Sequence, residues 1–253
     1  SDVCSSDLLT TVLLAVAATP ETLSLIVTLS LTHSVQNIVK KNGLIKKLHA
    51  VETLGSVSVI CSDKTGTLTQ GKMEVRKIWT GDKIFTPKDN FDSKCSELVK
   101  KLAMVSNIDI HKESNSIGNP TEMAIIKLFF DVKEKINEKY TKVHEIPFSS
   151  ERKMMSVIFK DNITQKYLVL VKGAIDRLSF SNADKEKVKE VHDKFASEAL
   201  RVISLGSKEL DTLPENLDEI ENDLKFEGMV GIIDPPRVDA KSSVNIAKRA
   251  GIR

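Results

Sequence analysis

The sequence predicts an α/β chain in which a membrane-spanning helix leads into an α/β domain, and that domain is interrupted by a large α+β insertion. Three observations carry this. Leu8 to Leu31 reads LLTTVLLAVAATPETLSLIVTLSL, with Glu21 as its only charge. Val57 to Ser62 is a short β-prone run that ends on Asp63, and in open α/β sheets ligands bind at the C-terminal ends of strands. Gly71 to Glu227 then mixes strand-like and helix-like stretches in the order of an α+β domain.

Ser1 to Asp7 is polar and unlike the apolar run next to it, so it is set aside as an extraneous end. As a helix, Leu8–Leu31 would reach roughly 36 Å, enough to cross a bilayer core of about 30 Å. A secretory leader would carry its positive charge before the apolar run. Here Lys40, Lys41, Lys46 and Lys47 come after it, which places everything C-terminal on the cytoplasmic side. A buried core helix is the plainer alternative. Pro20-Glu21 interrupts the span. Carbonyls freed by the proline and a carboxylate are hard ligands suited to Ca²⁺, Na⁺ or H⁺. A kinked helix whose Glu faces a partner helix is the equal alternative.

Ser34–Leu54 reads as one or two helices leaving the membrane, with Leu44, Leu48 and Val51 at helical spacing and Gly55 closing it. Within the insertion, strands are expected at Glu74–Trp79, Lys142–Ile146, Met154–Phe159, Lys166–Val171 and Arg201–Gly206. Helices are expected at Glu97–Val105, Pro120–Val132 and Asp184–Leu200. Met154–Phe159 and Lys166–Val171, joined by Lys160–Gln165, form a hairpin signal. Phe226–Ile233 is a further strand, Asp234-Pro235-Pro236-Arg237 a rigid turn, and Asp239–Ala250 a helix closed by Gly251. The implied divisions are 1–7, a span at 8–33, a linker helix at 34–54, the α/β domain at 55–70 and 228–253, and the insertion at 71–227.

Composition removes other classes. Hydrophobic residues at 41% exclude global disorder, and 37 Lys and Arg against 35 Asp and Glu leave a net charge of +2, giving no basic field for nucleic acid. Cys4, Cys61 and Cys95 are odd in number and widely spaced, and His33, His49, His111, His144 and His192 form no close pair. A disulfide scaffold and a Cys-based zinc site are therefore not expected.

Asp63-Lys64-Thr65-Gly66-Thr67-Leu68-Thr69 carries the most chemistry. A carboxylate at a strand end can attack phosphorus, and the N–H groups of a glycine turn can hold phosphoryl oxygens. Mg²⁺ would neutralise the transferring group. The alternative is an ordinary polar turn. Gly66 to Lys72 copies the spacing of a P-loop, but Met73 stands where Ser or Thr should meet Mg²⁺, so a P-loop is rejected.

Cys61–Thr69, CSDKTGTLT, resembles the phosphorylation signature of P-type ATPases, the cation pumps and lipid flippases. The resemblance implies a partial haloacid dehalogenase-like, Rossmann-type phosphorylation domain, with ATP and Mg²⁺ as cofactors. Asp63, with Lys64 and Thr65, would be catalytic, Asp63 taking the γ-phosphate. Asp63 and Thr65 would hold Mg²⁺, and Thr65 would also meet the nucleotide. Thr65 stands where haloacid dehalogenase-like phosphatases carry a second Asp as general base, and its presence favours a pump, whose acyl phosphate must persist.

Other segments resemble the family in order. Pro20-Glu21-Thr22-Leu23-Ser24 is similar to the broken fourth membrane helix of type II pumps, usually PEGLP, with Glu21 as ligand of the transported cation. Soft-metal pumps have Cys-Pro there and flippases lack the Glu. Leu48, Glu52 and Gly55 match the family's linker. Gly118-Asn119-Pro120-Thr121-Glu122 resembles G-x-P-T-E, placing Glu122 near the nucleotide; the same residues also read as a helix start of capping-box type. Phe148-Ser149-Ser150-Glu151-Arg152-Lys153 resembles F-S-x-x-R-K, implying that Phe148 stacks on adenine and Lys153 lies beside the nucleotide. Ser150 replaces the Arg of many calcium pumps. Lys172-Gly173-Ala174 resembles the KGA segment of the adenine pocket. Leu200-Arg201-Val202 resembles the segment whose Arg reaches the ATP phosphates. Asp234 and Arg237 match the DPPR hinge, also tied to nucleotide handling.

The resemblance runs from Leu8 to Arg253 and implies a type II cation-transporting ATPase of a multi-pass membrane. Ca²⁺ is the first choice of cargo, and Na⁺ or H⁺ the alternatives. The family's T-G-E and G-D-G-x-N-D segments do not occur in the sequence, and no T-G-D follows Asp234–Arg237, where the family's loop would stand. The chain is thus expected to be a fragment that binds ATP weakly and needs the remaining pump domains to turn over. The rivals from other classes are a soluble haloacid dehalogenase-like phosphatase, opposed by Thr65 and the apolar run, and a non-catalytic nucleotide-binding remnant.

Overall fold

The computed structural model describes residues 7–14, 22–106, 119–131 and 139–253. The chain divides into two compact units, one of residues 1–61 with 241–253 and one of residues 62–240.

The larger unit is built on a seven-stranded sheet in the order β2-β1-β7-β6-β5-β4-β3. Its strands are β1 (Glu74–Trp79), β2 (Ile84–Phe85), β3 (Tyr140–Ile146), β4 (Met154–Asp161), β5 (Tyr167–Gly173), β6 (Arg201–Leu210) and β7 (Lys225–Ile233). Every neighbouring pair is antiparallel. The centre of the sheet is covered on both faces, so its strands read as nearly continuous apolar runs such as Leu168-Val169-Leu170-Val171. Successive residues alternate between the two layers. Met155, Val157, Leu168 and Leu170 join a core with the helices Ser93–Met104 and Pro120–Asp131. Ile158, Val169 and Val171 join Ile220 and Leu224 on the other face, where the helix Lys185–Ser197 also packs through Val188 and Phe195. The two covering helices on the first face start differently. Asp92 caps one by accepting from the Cys95 amide at 2.9 Å, and Asn119 caps the other by accepting from the Thr121 amide at 3.0 Å. Burial beside Asp92 and Asp89 pushes the Cys95 thiol up to about 12, so it is an inert core residue, and both Cys61 and Cys95 are free.

Two largely buried carboxylates fix irregular points of this sheet. Asp161 closes the β4–β5 hairpin: it accepts from the amides of Ile163 (2.9 Å) and Thr164 (3.2 Å) and pairs with Lys139 at 2.7 Å. Glu227 is the extra residue of a bulge between β6 and β7. It takes the Ser207 hydroxyl at 2.5 Å and the Lys101 ammonium at 3.0 Å. Burial alone would raise both acids. For Asp161, Lys139 and the two turn amides outweigh it; for Glu227, Ser207 and Lys101 do. Both therefore ionise below their ordinary values of 3.8 and 4.5. A carboxyl whose folded pKa is depressed lends stability that is present above its unfolded pKa and lost as pH falls through the folded one. The urea midpoint should therefore be level from neutral pH down to about pH 5 and fall below that. Asp161→Asn should lower the neutral-pH midpoint and flatten the acid slope, and an unchanged slope would show that Asp161 is not a source of it.

In the smaller unit, the helix Leu23–Lys40 buries no residue. Thr28, Thr32 and Ser34 turn their hydroxyls back to carbonyls four residues earlier. The helix ends where Asn42 takes φ +62° and the Gly43 amide returns to the Ile38 carbonyl at 3.0 Å. A side chain at Gly43 would meet Ile38 at 2.5 Å. A second helix covers Ala50–Gly55.

Two expectations differ here. Residues 7–14 and Leu23–Lys40 are helical, but no helix among the described residues is long and apolar enough to cross a membrane. The expected break at Pro20-Glu21, and with it Glu21, lies outside the described residues. Val57–Ser62 does not become a strand. Ile60 donates to the Arg253 carbonyl (2.7 Å) and Arg253 to the Ser58 carbonyl (3.0 Å), the pattern of a single parallel bridge. A β-prone run needs a neighbour of several residues to become a ladder, and one bridge does not supply it.

Candidate functional site

Two groups of residues carry the chemistry, both in the larger unit. The first is the turn after Asp63. Asp63 is extended (φ −68°, ψ 145°), and the chain then wraps through Lys64–Leu68 with Gly66 at φ +76°. Glycine reaches this conformation without the steric cost that other residues meet. Asp63 to Thr67 are exposed, whereas Thr69 is buried. Thr69 is held in place from the returning strand: its hydroxyl donates to Asp234 Oδ2 at 2.6 Å and accepts from the Gly66 amide at 3.2 Å. Asp234 Oδ1 accepts from the amides of Gly71 (2.9 Å) and Lys72 (3.2 Å). Arg237 donates from Nε to the Thr69 carbonyl (3.1 Å) and from a terminal nitrogen to the Gly66 carbonyl (3.0 Å). Asp234 and Arg237, expected beside the nucleotide, thus make their contacts within the chain's own hinge.

No group of three or more His, Cys, Asp or Glu able to hold a metal occurs among the described residues. Asp63 and Thr65 offer exposed oxygen donors and a single carboxylate, a set that fits Mg²⁺, which keeps waters and binds through one or two carboxylates plus substrate phosphates.

The second group lies where β5 ends against the helix Pro120–Asp131. Lys172 is only 7% exposed. Its ammonium donates to Glu122 Oε1 and, at 3.5 Å, to the Ser106 hydroxyl. Burial pushes this lysine below its ordinary 10.5, and the charge of Glu122 opposes the shift. Glu122 has two readings, a capping-box start and a place near the nucleotide; its Oε1 carboxylate oxygen meets the Lys172 ammonium, and an ammonium in a dry site is a strong partner. Arg201 donates to the Thr121 hydroxyl at 3.1 Å. Adjacent strands β5 and β6 therefore both send a cation to the first turn of this helix.

Gly173 has a steric reason. A Cβ there would lie 2.8 Å from the Lys153 carbonyl oxygen and 2.7 Å from Met154 Cβ. The Ala174 amide instead donates to that Lys153 carbonyl at 3.1 Å. Lys153 sits at φ +55°, and its amide donates to the Ser149 carbonyl at 2.8 Å. Arg152 is spent on Glu221, which also takes the Ser156 hydroxyl, so within this motif Arg152 shapes the turn while Lys153 is exposed. Phe148 is 57% exposed. It is not a core residue, and its open face can stack.

The structure thus brings Lys172 and Glu122 into contact, and sets the backbone of Lys153 against Gly173. Ser106 and Thr121 join the site without having been singled out by sequence reasoning. Thr121 lies inside the G-x-P-T-E segment, where its position at the helix start is a usable signal; Ser106 has none, since only the fold brings it to Lys172.

The site thus offers an exposed carboxylate on a glycine turn, an open aromatic face and a buried lysine set against the start of a helix, and comparison with known proteins gives the family. Residues 94–239 match the model of the P-type ATPase cytoplasmic domain N. Calcium-transporting ATPase 1 of Bacillus cereus is 38% identical over 97% of this chain and 29% of its own length. A calcium-transporting ATPase of Listeria monocytogenes is 39% identical over 96% of this chain and 30% of its own. A sodium/potassium exporting P-type ATPase of Schizosaccharomyces pombe is 32% identical over 95% and 29%. The chain belongs to the P-type ATPases. It spans about 29% to 30% of the length of these relatives.

Proposed function

We propose that this chain supplies the nucleotide-binding domain and the phosphate-accepting loop of an ATP-driven pump that moves Ca²⁺ across a membrane. The observation that carries the reading is the exposed Asp63 at the mouth of a turn held by Thr69, in a chain whose inserted sheet keeps Lys172 and Glu122 in contact. In this reading the residues up to Asp63 and after Asp234 belong to a haloacid dehalogenase-like domain, and the apolar N-terminal run to its membrane part, with Glu21 as a ligand of the transported ion.

Phe148 offers its open face to adenine. Lys172 and Glu122, bracketed by Gly173, set the depth of the pocket, and Lys153 and Arg201 draw the polyphosphate by charge. A carboxylate oxygen of Asp63 attacks the γ-phosphorus in line. The new O–P bond forms as the bond to the β–γ bridging oxygen breaks, and ADP leaves with that electron pair. Lys64 lies next to the nucleophile and offsets the negative charge gathered there. Asp63 and Thr65 would hold Mg²⁺, which when bound would supply positive charge to the transferring group. Thr65 supplies no carboxylate to activate water, so the acyl phosphate persists long enough to drive a change of shape.

The test is hydroxylamine-sensitive labelling from γ-labelled ATP in membranes that carry the full-length protein. Ca²⁺, Na⁺ and neither are compared. Labelling should require Ca²⁺ and fall to background in Asp63→Asn. Labelling that depends on Na⁺ would move the cargo to Na⁺, the reading the Schizosaccharomyces pombe relative favours. Labelling that survives Asp63→Asn would remove Asp63 as the nucleophile.

A further inference from the structure

We infer that Thr69, Asp234 and Arg237 are positioning residues for phosphoryl transfer, which act by gripping the backbone on both sides of Gly66 and not by touching nucleotide. The inference rests on the phosphoryl-transfer reading of Asp63. Both polar groups of Gly66 are held: its N–H by the Thr69 hydroxyl at 3.2 Å, its carbonyl by the Arg237 guanidinium at 3.0 Å. Gly66 stands three residues after Asp63 and at φ +76°, a left-handed conformation that a free glycine leaves as readily as it enters. Holding the two peptides that flank the Gly66 Cα fixes its φ and ψ and so the curvature of the loop on which Asp63 is carried.

The grip is itself braced. Thr69 takes its orientation from Asp234 Oδ2 at 2.6 Å, and the other oxygen of Asp234 is occupied by the amides of Gly71 and Lys72. Both carboxylate oxygens are therefore engaged, and Arg237 has already committed two donors to carbonyls. Backbone bonds fasten the two passes of chain together. Gln70 donates to the Pro235 carbonyl and Arg237 to the Leu68 carbonyl, each at 2.9 Å, on either side of an antiparallel bridge between Thr69 and Pro236. The two prolines fix their own φ and bring no N–H that would need a partner. The hinge is thus a stiff clasp, and charge-assisted bonds of this kind resist loss better than neutral ones. Its service to catalysis is geometric: in-line attack is sensitive to displacements of an ångström.

The test uses the full-length protein in its membranes, with the phosphorylation rate from γ-labelled ATP and the affinity for a fluorescent ATP analogue measured on the same preparations. Thr69→Val and Arg237→Met should slow phosphorylation by about tenfold or more while analogue affinity stays within about twofold, the split expected when only the reacting geometry is lost. Thr69→Ser, which restores the hydroxyl, should recover most of the rate. Hydrogen exchange over Gly66–Lys72 should speed up in Thr69→Val and stay slow in Thr69→Ser. Wild-type rates in both variants would overturn the inference. So would a loss of rate matched by an equal loss of analogue affinity, which would make these residues nucleotide contacts. A wild-type protein that forms no hydroxylamine-sensitive phosphoprotein would instead overturn the reading of Asp63, and this proposal with it.

Discussion

Gly228→Ala is expected to unfold the larger unit or to leave it destabilised by about 3 kcal/mol or more. An added Cβ would lie 2.4 Å from the Trp79 carbonyl oxygen and 2.5 Å from Leu98 Cδ2. The leucine could turn aside only into a core in which it is itself buried. The carbonyl cannot move, because Trp79 pairs with Met229 in the ladder between β1 and β7. The φ of +154° adds strain for any residue with a side chain. All three costs fall on the junction where the chain returns to its first strand, next to the Glu227 bulge. Gly81→Ala, in the same unit, makes the comparison: its φ is +91° with open space around it, so it should cost only the left-handed penalty of about 1–2 kcal/mol. Urea denaturation followed by tryptophan fluorescence reads both, since the only Trp is Trp79. Equal effects of the two substitutions would mean that close packing at Gly228 is not what fixes the bulge.

That glycine also marks the limit of what the sequence discloses. Runs of alternating or continuous apolar residues locate β1 and β3 to β7 to within a few residues, because the period of side-chain exposure is local. The hairpin after Phe159 and the cap at Asn119 are legible for the same reason, since turn and cap chemistry is written in neighbouring residues. The sheet order is not. β1 pairs with β7 across some hundred and fifty residues of chain, and nothing in Glu74–Trp79 names its partner. β2 has two residues and no period to detect. The carboxylate of the bulge residue Glu227 is met by Ser207 and Lys101, which come from distant parts of the chain. The candidate site divides the same way. The Asp63 segment can be read because its chemistry is contiguous. That Asp234 serves Thr69, or that Ser106 meets Lys172, depends on chain brought together from 165 and 66 residues apart.

The pair of Lys172 and Glu122 gives the second large effect, and it separates stability from function. Glu122→Ala should cost about 3–5 kcal/mol, the penalty for leaving one charge of a buried pair without its partner. Ser106 at 3.5 Å is too distant to compensate. The lysine would answer by losing its proton more readily, since burial already lowers its pKa and Glu122 is the chief opposing influence. Between a lowered folded pKa and the unfolded value of 10.5, the unfolded chain holds more protons, so by linkage stability rises with pH across that window and the gain is complete above 10.5. Without Glu122 the window opens at lower pH, and the variant should recover stability as the solution is made alkaline. The double substitution Glu122→Leu with Lys172→Met should behave differently. Apolar groups of similar length leave no charge to desolvate, and replacing a buried pair in this way is commonly neutral or stabilising by about 1–4 kcal/mol. The double variant should thus fold at least as well as the parent yet bind a fluorescent ATP analogue far more weakly, because the ammonium and carboxylate of the proposed adenine pocket are gone. A double variant as unstable as Glu122→Ala would make the pair a structural brace. Stability kept and nucleotide binding lost would mean that a buried lysine beside a buried glutamate is maintained here for the ligand it meets.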